Sequence, residues 1–264
     1  MISTIRFRFE ATIMIDLNHG SGYRPPSVIE AINGRIDAAL VADNADQPPR
    51  RYLGASRLGV TCPRALQFEF TLTPKDQGRE FDGQLLRIFA VGHRFEDLSI
   101  LWLRAAGFDL RTHRSDGRQF GFSVAGGRIQ GHIDGVIVSA PAGVPMATPA
   151  LWEHKALNRK SWQDTVKRGV AVSKPVYAGQ IAIYQAYMGL TEAPALFTAL
   201  NKDTCELHHE LAPFDGALAQ RLSDRALTIL AATDAKELLP RYTANSDHFE
   251  CRMCSWQDRC WRMP

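Results

Sequence analysis

The chain has 264 residues, 45% hydrophobic and 22% charged, the balance of a soluble globular protein with enough length to bury a proper core. A formal net charge of +3 is too small by itself to imply a nucleic-acid partner, and no apolar run approaches the roughly 20 residues of a membrane span. Met1–Leu17 sets Arg6, Arg8 and Glu10 around a short apolar patch and does not read as a signal peptide, so a cytoplasmic location is expected.

In chain order, Pro25-Pro26-Ser27 opens a short amphipathic stretch to about Val41, with Ser27 as N-cap. Asp43–Arg50 is polar and proline-bearing and reads as a linker, so residues 1–50 are expected to be an appendage and 51–264 the main domain. From Gly83 the apolar spacing turns helical through Leu85, Ile88, Phe89, Phe95 and Leu98, ending before Gly107. Strand patterns follow at Phe108–Arg114, Phe120–Val124, Arg128–Ser139 and Ala150–Ala156, the second and third separated by a Gly126-Gly127 turn. A basic helix is predicted at about Ser161–Gly169, then another from Ser173-Lys174-Pro175 to Gly189. A hairpin joins Ala195–Leu200 to Cys205–Leu211, and Asp215 caps a long helix that runs to about Leu239 before Pro240. This order predicts an α/β protein with a mixed central sheet.

The charge is concentrated. Lys155, Arg159, Lys160, Lys167, Arg168 and Lys174 face only Asp164 within one stretch, a local +5 that exceeds the excess of the whole chain. On strand Arg128–Ser139, alternation puts Ile129, Ile133 and Ile137 on one face and Gln130, His132 and Asp134 on the other. Glu153 and Lys155 share a strand face because they are two apart. A lone aspartate or Glu-x-Lys means little; together they place two carboxylates and an ammonium at one spot, and such a pair suits a hard divalent cation. The charged form of Lys155 is favoured there, so it is expected to orient water and stabilise developing charge rather than act as a free base. His93, on the first helix, is a third candidate ligand. Tyr177, Gln180, Tyr184 and Tyr187 line one helix face, and a buried aromatic stripe has little use for the glutamine.

Five cysteines, an odd number, argue against a disulfide framework. Cys251-x-x-Cys254-x₅-Cys260 offers three thiolates for a tetrahedral site, with Cys62, Cys205 or His248 as the fourth ligand; spacing alone allows zinc or an iron–sulfur cluster.

Gly92-His93, Gly131-His132-Ile133-Asp134-Gly135, Glu153-His154-Lys155 and Gln180-x-x-x-Tyr184 resemble the successive motifs of the PD-(D/E)xK nuclease superfamily, RecB-like branch, over about Leu53–Trp261. The resemblance implies a restriction-endonuclease-like αβββαβ core with a helical and cluster-bearing appendage. It implies that His93, Asp134, Glu153 and the main-chain carbonyl of His154 bind Mg²⁺ or Mn²⁺, that Lys155 assists the attacking water, and that Gln180 and Tyr184 contact DNA. One distant cysteine followed by C-x-x-C-x₅-C is similar to the iron–sulfur staple of CRISPR-associated RecB-like exonucleases. That likeness selects Cys62 with Cys251, Cys254 and Cys260, and a [4Fe–4S] cluster over zinc, leaving Cys205 as a small buried hydrophobe. The implied activity is a single-strand DNA exonuclease serving repair, recombination, phage or CRISPR-type processing. No Gly-x-x-x-x-Gly-Lys-Ser/Thr motif is present, so a helicase or recombination partner would supply unwinding. An imidazole ligand suits Mn²⁺, so activity with Mn²⁺ is expected at least to equal that with Mg²⁺. The rival readings are a non-catalytic DNA-binding assembly module and a zinc-stapled structural protein.

Overall fold

Ser27 and Glu30 cap the first helix reciprocally: Ser27 Oγ accepts from the Glu30 N–H at 3.2 Å, and Glu30 Oε2 accepts from the Ser27 N–H at 2.6 Å. The computed structural model describes residues 27–263, so the reading of Met1–Leu17 lies outside it. The elements are α1 (Val28–Ala45), β1 (Leu53–Gly54), a 3₁₀ turn (Ala55–Arg57), α2 (Pro63–Phe70), α3 (Gly83–Ala105), β2 (Asp109–Arg111), β3 (Gly121–Val124), β4 (Ile129–His132), β5 (Gly135–Ser139) and β6 (Ala150–Leu157). Then come α4 (Arg159–Ser173), α5 (Pro175–Met188), β7 (Ala195–Asn201), β8 (Leu207–Ala212), α6 (Gly216–Asp234), α7 (Phe249–Arg252) and α8 (Gln257–Arg262).

The expected mixed α/β class is what the chain adopts. A five-stranded sheet runs β2-β5-β6-β7-β8, with β6 and β7 parallel and every other neighbour antiparallel. A smaller sheet, β1-β4-β3, stands beside it. All seven residues of β7 are buried, as a strand covered on both faces requires. One core lies between the sheets, α5 and α6, and includes Ile129, Ile133, Ile183, Phe197 and Ile229. A second lies under α3 and includes Leu103, Leu110, Ile137, Trp152 and Leu196.

The structure corrects the strand expected over Arg128–Ser139. It divides at Ile133-Asp134, so β4 joins the small sheet and β5 the large one. Two glycines explain why the chain can pass so close to its neighbours there. A Cβ on Gly131 would lie 2.6 Å from Phe122 Cε1 and 2.7 Å from Tyr184 Cε1; one on Gly135 would lie 2.7 Å from Leu110 Cδ1. The alternation is reset across the break. Ile129 and Ile133 enter the first core while Ile137 enters the second, so the three do not share one face.

Helix α3 forms over Gly83–Ala105, as its apolar spacing predicts, but Ile88, Phe89 and Leu98 are 49%, 43% and 39% exposed, and the buried residues are Gly83, Ser99 and Leu103. Its first turns carry α1, where the Arg87 guanidinium meets Asp37, and α1 itself buries no residue. The last long helix stops at Asp234, short of Leu239, because Lys236 turns left-handed at φ 58° before Pro240 is reached. Gly169, at φ 73°, breaks the helical path of α4 where the sequence predicted an end, and the Val170 N–H donates to Glu210 Oε2 at 2.8 Å. Helices α2, α7 and α8 had no legible sequence signal.

Gly135→Ala should cost ~1–3 kcal/mol through overpacking against Leu110. Gly34→Ala, with nothing within 4 Å of the added carbon on exposed α1, should leave the melting temperature unchanged or slightly higher. Thermal unfolding of both variants checks the contrast; equal losses would contradict this account of the break.

Candidate active site

The division of the strand leaves Asp134 in the gap between the two sheets, and β6 supplies its neighbours. Asp134 Oδ2 accepts the main-chain N–H of His154 at 2.8 Å, which fixes the loop carboxylate to the strand that carries Glu153 and Lys155. Alternation along β6 sends Glu153 and Lys155 toward α5 and Trp152 and His154 toward α3. Glu153 is 0% exposed; Oε1 contacts Lys155 Nζ, and Oε2 has no hydrogen-bond partner. An unsatisfied buried carboxylate oxygen is costly.

The electrostatics follow from burial and crowding. Burial, then the Asp134 charge, pushes the Glu153 carboxyl up to about 8. Burial also raises Asp134, against the pull of Lys155, the His154 N–H and, more weakly, His93. For Lys155, burial works against the ammonium, but Glu153 and Asp134 outweigh it and hold the charged form above its ordinary range. Lys155 is therefore a fixed cation, and its Nζ sits 5.3 Å from the centre of the Tyr177 ring. Tyr184 is raised by burial, with Glu153 and Asp134 adding to the effect, and Gln180 hydrogen-bonds it. Gln180 and Tyr184 are both buried beside this group, whereas Tyr187 turns away to Ser223, its hydroxyl donating to Ser223 Oγ at 3.1 Å.

On the other face of β6, the His154 ring is held neutral: burial, then Lys155, depresses it to about 3. Its Nε2 lies 3.0 Å from Ser99 Oγ on α3. His93 stands farther out, with its side chain 80% exposed and Nδ1 3.9 Å from Glu96 Oε2. Glu96 was not singled out by the sequence, although it follows His93 by one turn. Burial, then Asp134, pushes its carboxyl up to about 7, and Lys155 opposes that rise. As they stand, no three His, Cys, Asp or Glu side chains among the described residues form a group that could hold a metal ion. A cavity of about 540 Å³ lies on the α3 side of the sheet; its lining is mostly apolar and contains none of Asp134, Glu153 or Lys155.

The basic stretch is partly neutralised. Asp164 pairs with Arg168 at 2.6 Å and Lys174 at 3.3 Å, and Lys155 is inside the site; Arg159, Lys160 and Lys167 are exposed outside that pairing.

At the other end of the domain, Cys62, Cys251, Cys254 and Cys260 line one cavity of about 220 Å³. The Trp256 N–H donates to Cys254 Sγ at 3.5 Å, and Arg64 Nη1 lies 3.7 Å from Cys260 Sγ, both suited to thiolate sulfur. Burial raises Cys251 and Cys254, and the other thiols add to the rise. Asp76 clamps the segment by accepting the N–H groups of Asp258 and Arg259 at 2.6 and 3.0 Å. Cys205 is corrected: it is exposed at φ 63° in the turn before β8, not a buried hydrophobe. His248 Nδ1 accepts the Glu250 N–H at 3.2 Å as the cap of α7.

No family model matches the chain, and no curated protein matches it. Among solved structures it is similar to one described as SSO0001, at 15% identity and TM-score 0.46, covering 87% of this chain and 96% of that one. It is similar to LHK-Exo, an alkaline exonuclease from Laribacter hongkongensis, at 15% identity and TM-score 0.49, covering 77% and 93%. For LHK-Exo in complex with dAMP the values are 16%, 0.48, 70% and 89%. Likenesses this distant carry no functional argument.

The raised Glu153 carboxyl fixes the sign of a pH effect. Without metal, the folded chain keeps a proton up to about pH 8 that the unfolded chain releases near 4.5, so stability falls as pH rises through that window. Depressed His154 acts oppositely, but only below its unfolded value of 6.5. Metal-free protein should therefore melt at lower temperature at pH 8 than at pH 6.5, and Glu153→Gln should flatten the difference. Calorimetry showing a rise over that interval would refute the assignment.

Proposed function

We propose that this chain is a metal-dependent deoxyribonuclease of the PD-(D/E)xK superfamily, RecB-like branch, with a restriction-endonuclease-like core. The observation that carries the reading is the junction of Asp134, Glu153 and Lys155, with Glu153 Oε2 buried and unpartnered. That orphaned oxygen and the crowded carboxylates fit a hard divalent cation, Mg²⁺ or Mn²⁺. Asp134, Glu153 and the main-chain carbonyl of His154 would hold it, with a donor from α3, His93 in the resemblance, completing the set. Bound there, the cation would activate water and offset charge on the phosphate.

The chain's own groups do the rest. The Asp134 carboxylate is kept in place by the His154 N–H, so the site is organised before substrate arrives. Lys155 stays protonated and serves as a counter-charge that orients water and steadies the pentavalent phosphorus. Gln180 and Tyr184 form the buried wall against which the nucleotide would lie. Arg159, Lys160 and Lys167 would grip the phosphate backbone without reading bases, giving salt-sensitive binding. Single-stranded DNA ends are the substrate of this reading, acted on as an exonuclease in the cytoplasm, with a helicase or recombination partner. Among the described residues no helix is long and apolar enough to cross a membrane.

The domain proposed spans residues 51–264, with 1–50 as an appendage, and a [4Fe–4S] cluster on Cys62, Cys251, Cys254 and Cys260 joins its two ends. The thiols' shared cavity, the N–H donor to Cys254 and the neighbouring Arg64 fit such a group.

Two experiments test this. Lys155→Ala should lower cleavage of labelled DNA on the order of 10²–10³-fold, with single strands cut faster than duplex by the native protein. Equal cleavage by both proteins would remove the catalytic assignment and leave a DNA-binding module. Cys254→Ser should lose iron and solubility after anaerobic purification. Stoichiometric zinc in the native protein, or a soluble and fully active variant without iron, would overturn the cluster.

A further inference from the structure

Strand β8 ends one side of the large sheet, and among the described residues no strand pairs with its outer edge. The Asn201 N–H donates to the Glu206 carbonyl at 2.9 Å, and antiparallel ladder bonds alternate, so His208, Glu210 and Ala212 bond inward to β7. Leu207, His209 and Leu211 therefore turn their N–H and C=O groups outward. Natural sheet edges are usually blunted by lysine, proline or a bulge. Leu207–Ala212 contains neither lysine nor proline, and it pairs with β7 without a register shift. Leu207 and Leu211 are instead 43% and 46% exposed, and with His209 and Trp102 they line the mostly apolar cavity.

The strand is also complementary to itself. Set antiparallel to a second copy about His209, it places Leu207 opposite the partner's Leu211 and His208 opposite the partner's Glu210. The backbone suits the same register. Its hydrogen-bonded pairs are Leu207 with the partner's Leu211 and His209 with the partner's His209, the residues whose backbone groups point outward. His208 and Glu210 then form the closer, non-bonded pairs, in which facing like charges would be unfavourable and a histidine facing a carboxylate is not. Their side chains are 24% and 26% exposed, so each has surface left to meet a partner. Burial, then His208, lowers His209 below its ordinary range, so its two copies would meet uncharged at neutral pH.

We propose that β8 is a self-association edge, at which two copies of this chain join antiparallel about a two-fold axis through His209. The large sheet would continue from one copy into the other, and the partner's leucines would cover Leu207 and Leu211. A two-fold contact uses the same patch on both copies and is closed at two, so an unblunted edge is satisfied without open-ended growth. The site on β6 is two strands inward and takes no part in the contact.

Sedimentation velocity of the full chain over a dilution series tests this. The native chain should pass from monomer to dimer and no further. Leu207→Lys and Leu211→Glu, both at exposed positions, should each weaken self-association on the order of tenfold, since each alters two cross-strand pairs. Measured dilute, their melting temperatures should match that of the native chain. Mixed in equal amounts, the two variants should recover a dimer. The new lysine of one chain then faces the new glutamate of the other, while the unaltered leucines meet at the far end. A native chain that stays monomeric at every concentration would overturn the proposal and leave the edge to some other chain. A dimer that neither substitution weakens would also overturn it, as would variants that remain apart when mixed.

Discussion

Asp134 occupies the place where the chain leaves the small sheet and enters the large one, and its carboxylate accepts the main-chain N–H of His154. That one hydrogen bond couples two things the fold needs at once. It satisfies a backbone donor of β6, and it holds a loop aspartate within reach of Glu153 and Lys155. The glycines on either side make the junction possible, since Gly131 and Gly135 each lie against side chains that a Cβ would strike. The ring of Tyr184 presses on Gly131 from α5, so the helix carrying Gln180 is positioned by the same break. On the far side, Ser99 and His154 bind α3 to β6. The site is thus assembled from a strand break, a buried strand and two helices, each fixed by a contact that touches Asp134 or its immediate partners.

Much of this was legible in the sequence because local pattern and tertiary fate agreed. Ser27 with Glu30 announces a capped helix, Lys174-Pro175 and Gly189 bound another, and the spacing of Glu153 and Lys155 puts both on one strand face. Where neighbours decide, the pattern misled. Ile129, Ile133 and Ile137 alternate as one strand would, and nothing local says that the pairing partner changes at Asp134. The apolar stripe of α3 predicts burial, but whether a stripe is covered depends on what packs there, and α1 covers it thinly. Glu96 was overlooked because a glutamate on a helix is ordinarily solvated, and its nearness to Asp134 is set by tertiary packing. Cys205 was misread because its left-handed turn geometry has no signature in a cysteine.

The cysteine cavity belongs to a different mechanical layer. Protein contacts tie the chain segments around it together: Asp76 binds the start of α8, Trp256 Nε1 donates to the Thr73 carbonyl at 2.8 Å, and Gln67 Nε2 donates to the Glu237 carbonyl at 2.7 Å. The proposed cluster would bind the segment before α2 to the last helices. Because α2 and α6 pack on the same core that supports α5, loosening this closure would reach the Gln180 and Tyr184 wall through packing rather than through chemistry.

The central proposal is that the buried carboxylates form a cation site beside Lys155. Anomalous scattering from crystals soaked in MnCl₂ tests it most directly. The account predicts one strong peak beside Asp134 and Glu153, with Glu153 withdrawn from Lys155 and the His154 ring unmoved against Ser99. No peak in the gap, while Glu153 keeps its contact with Lys155, would contradict it.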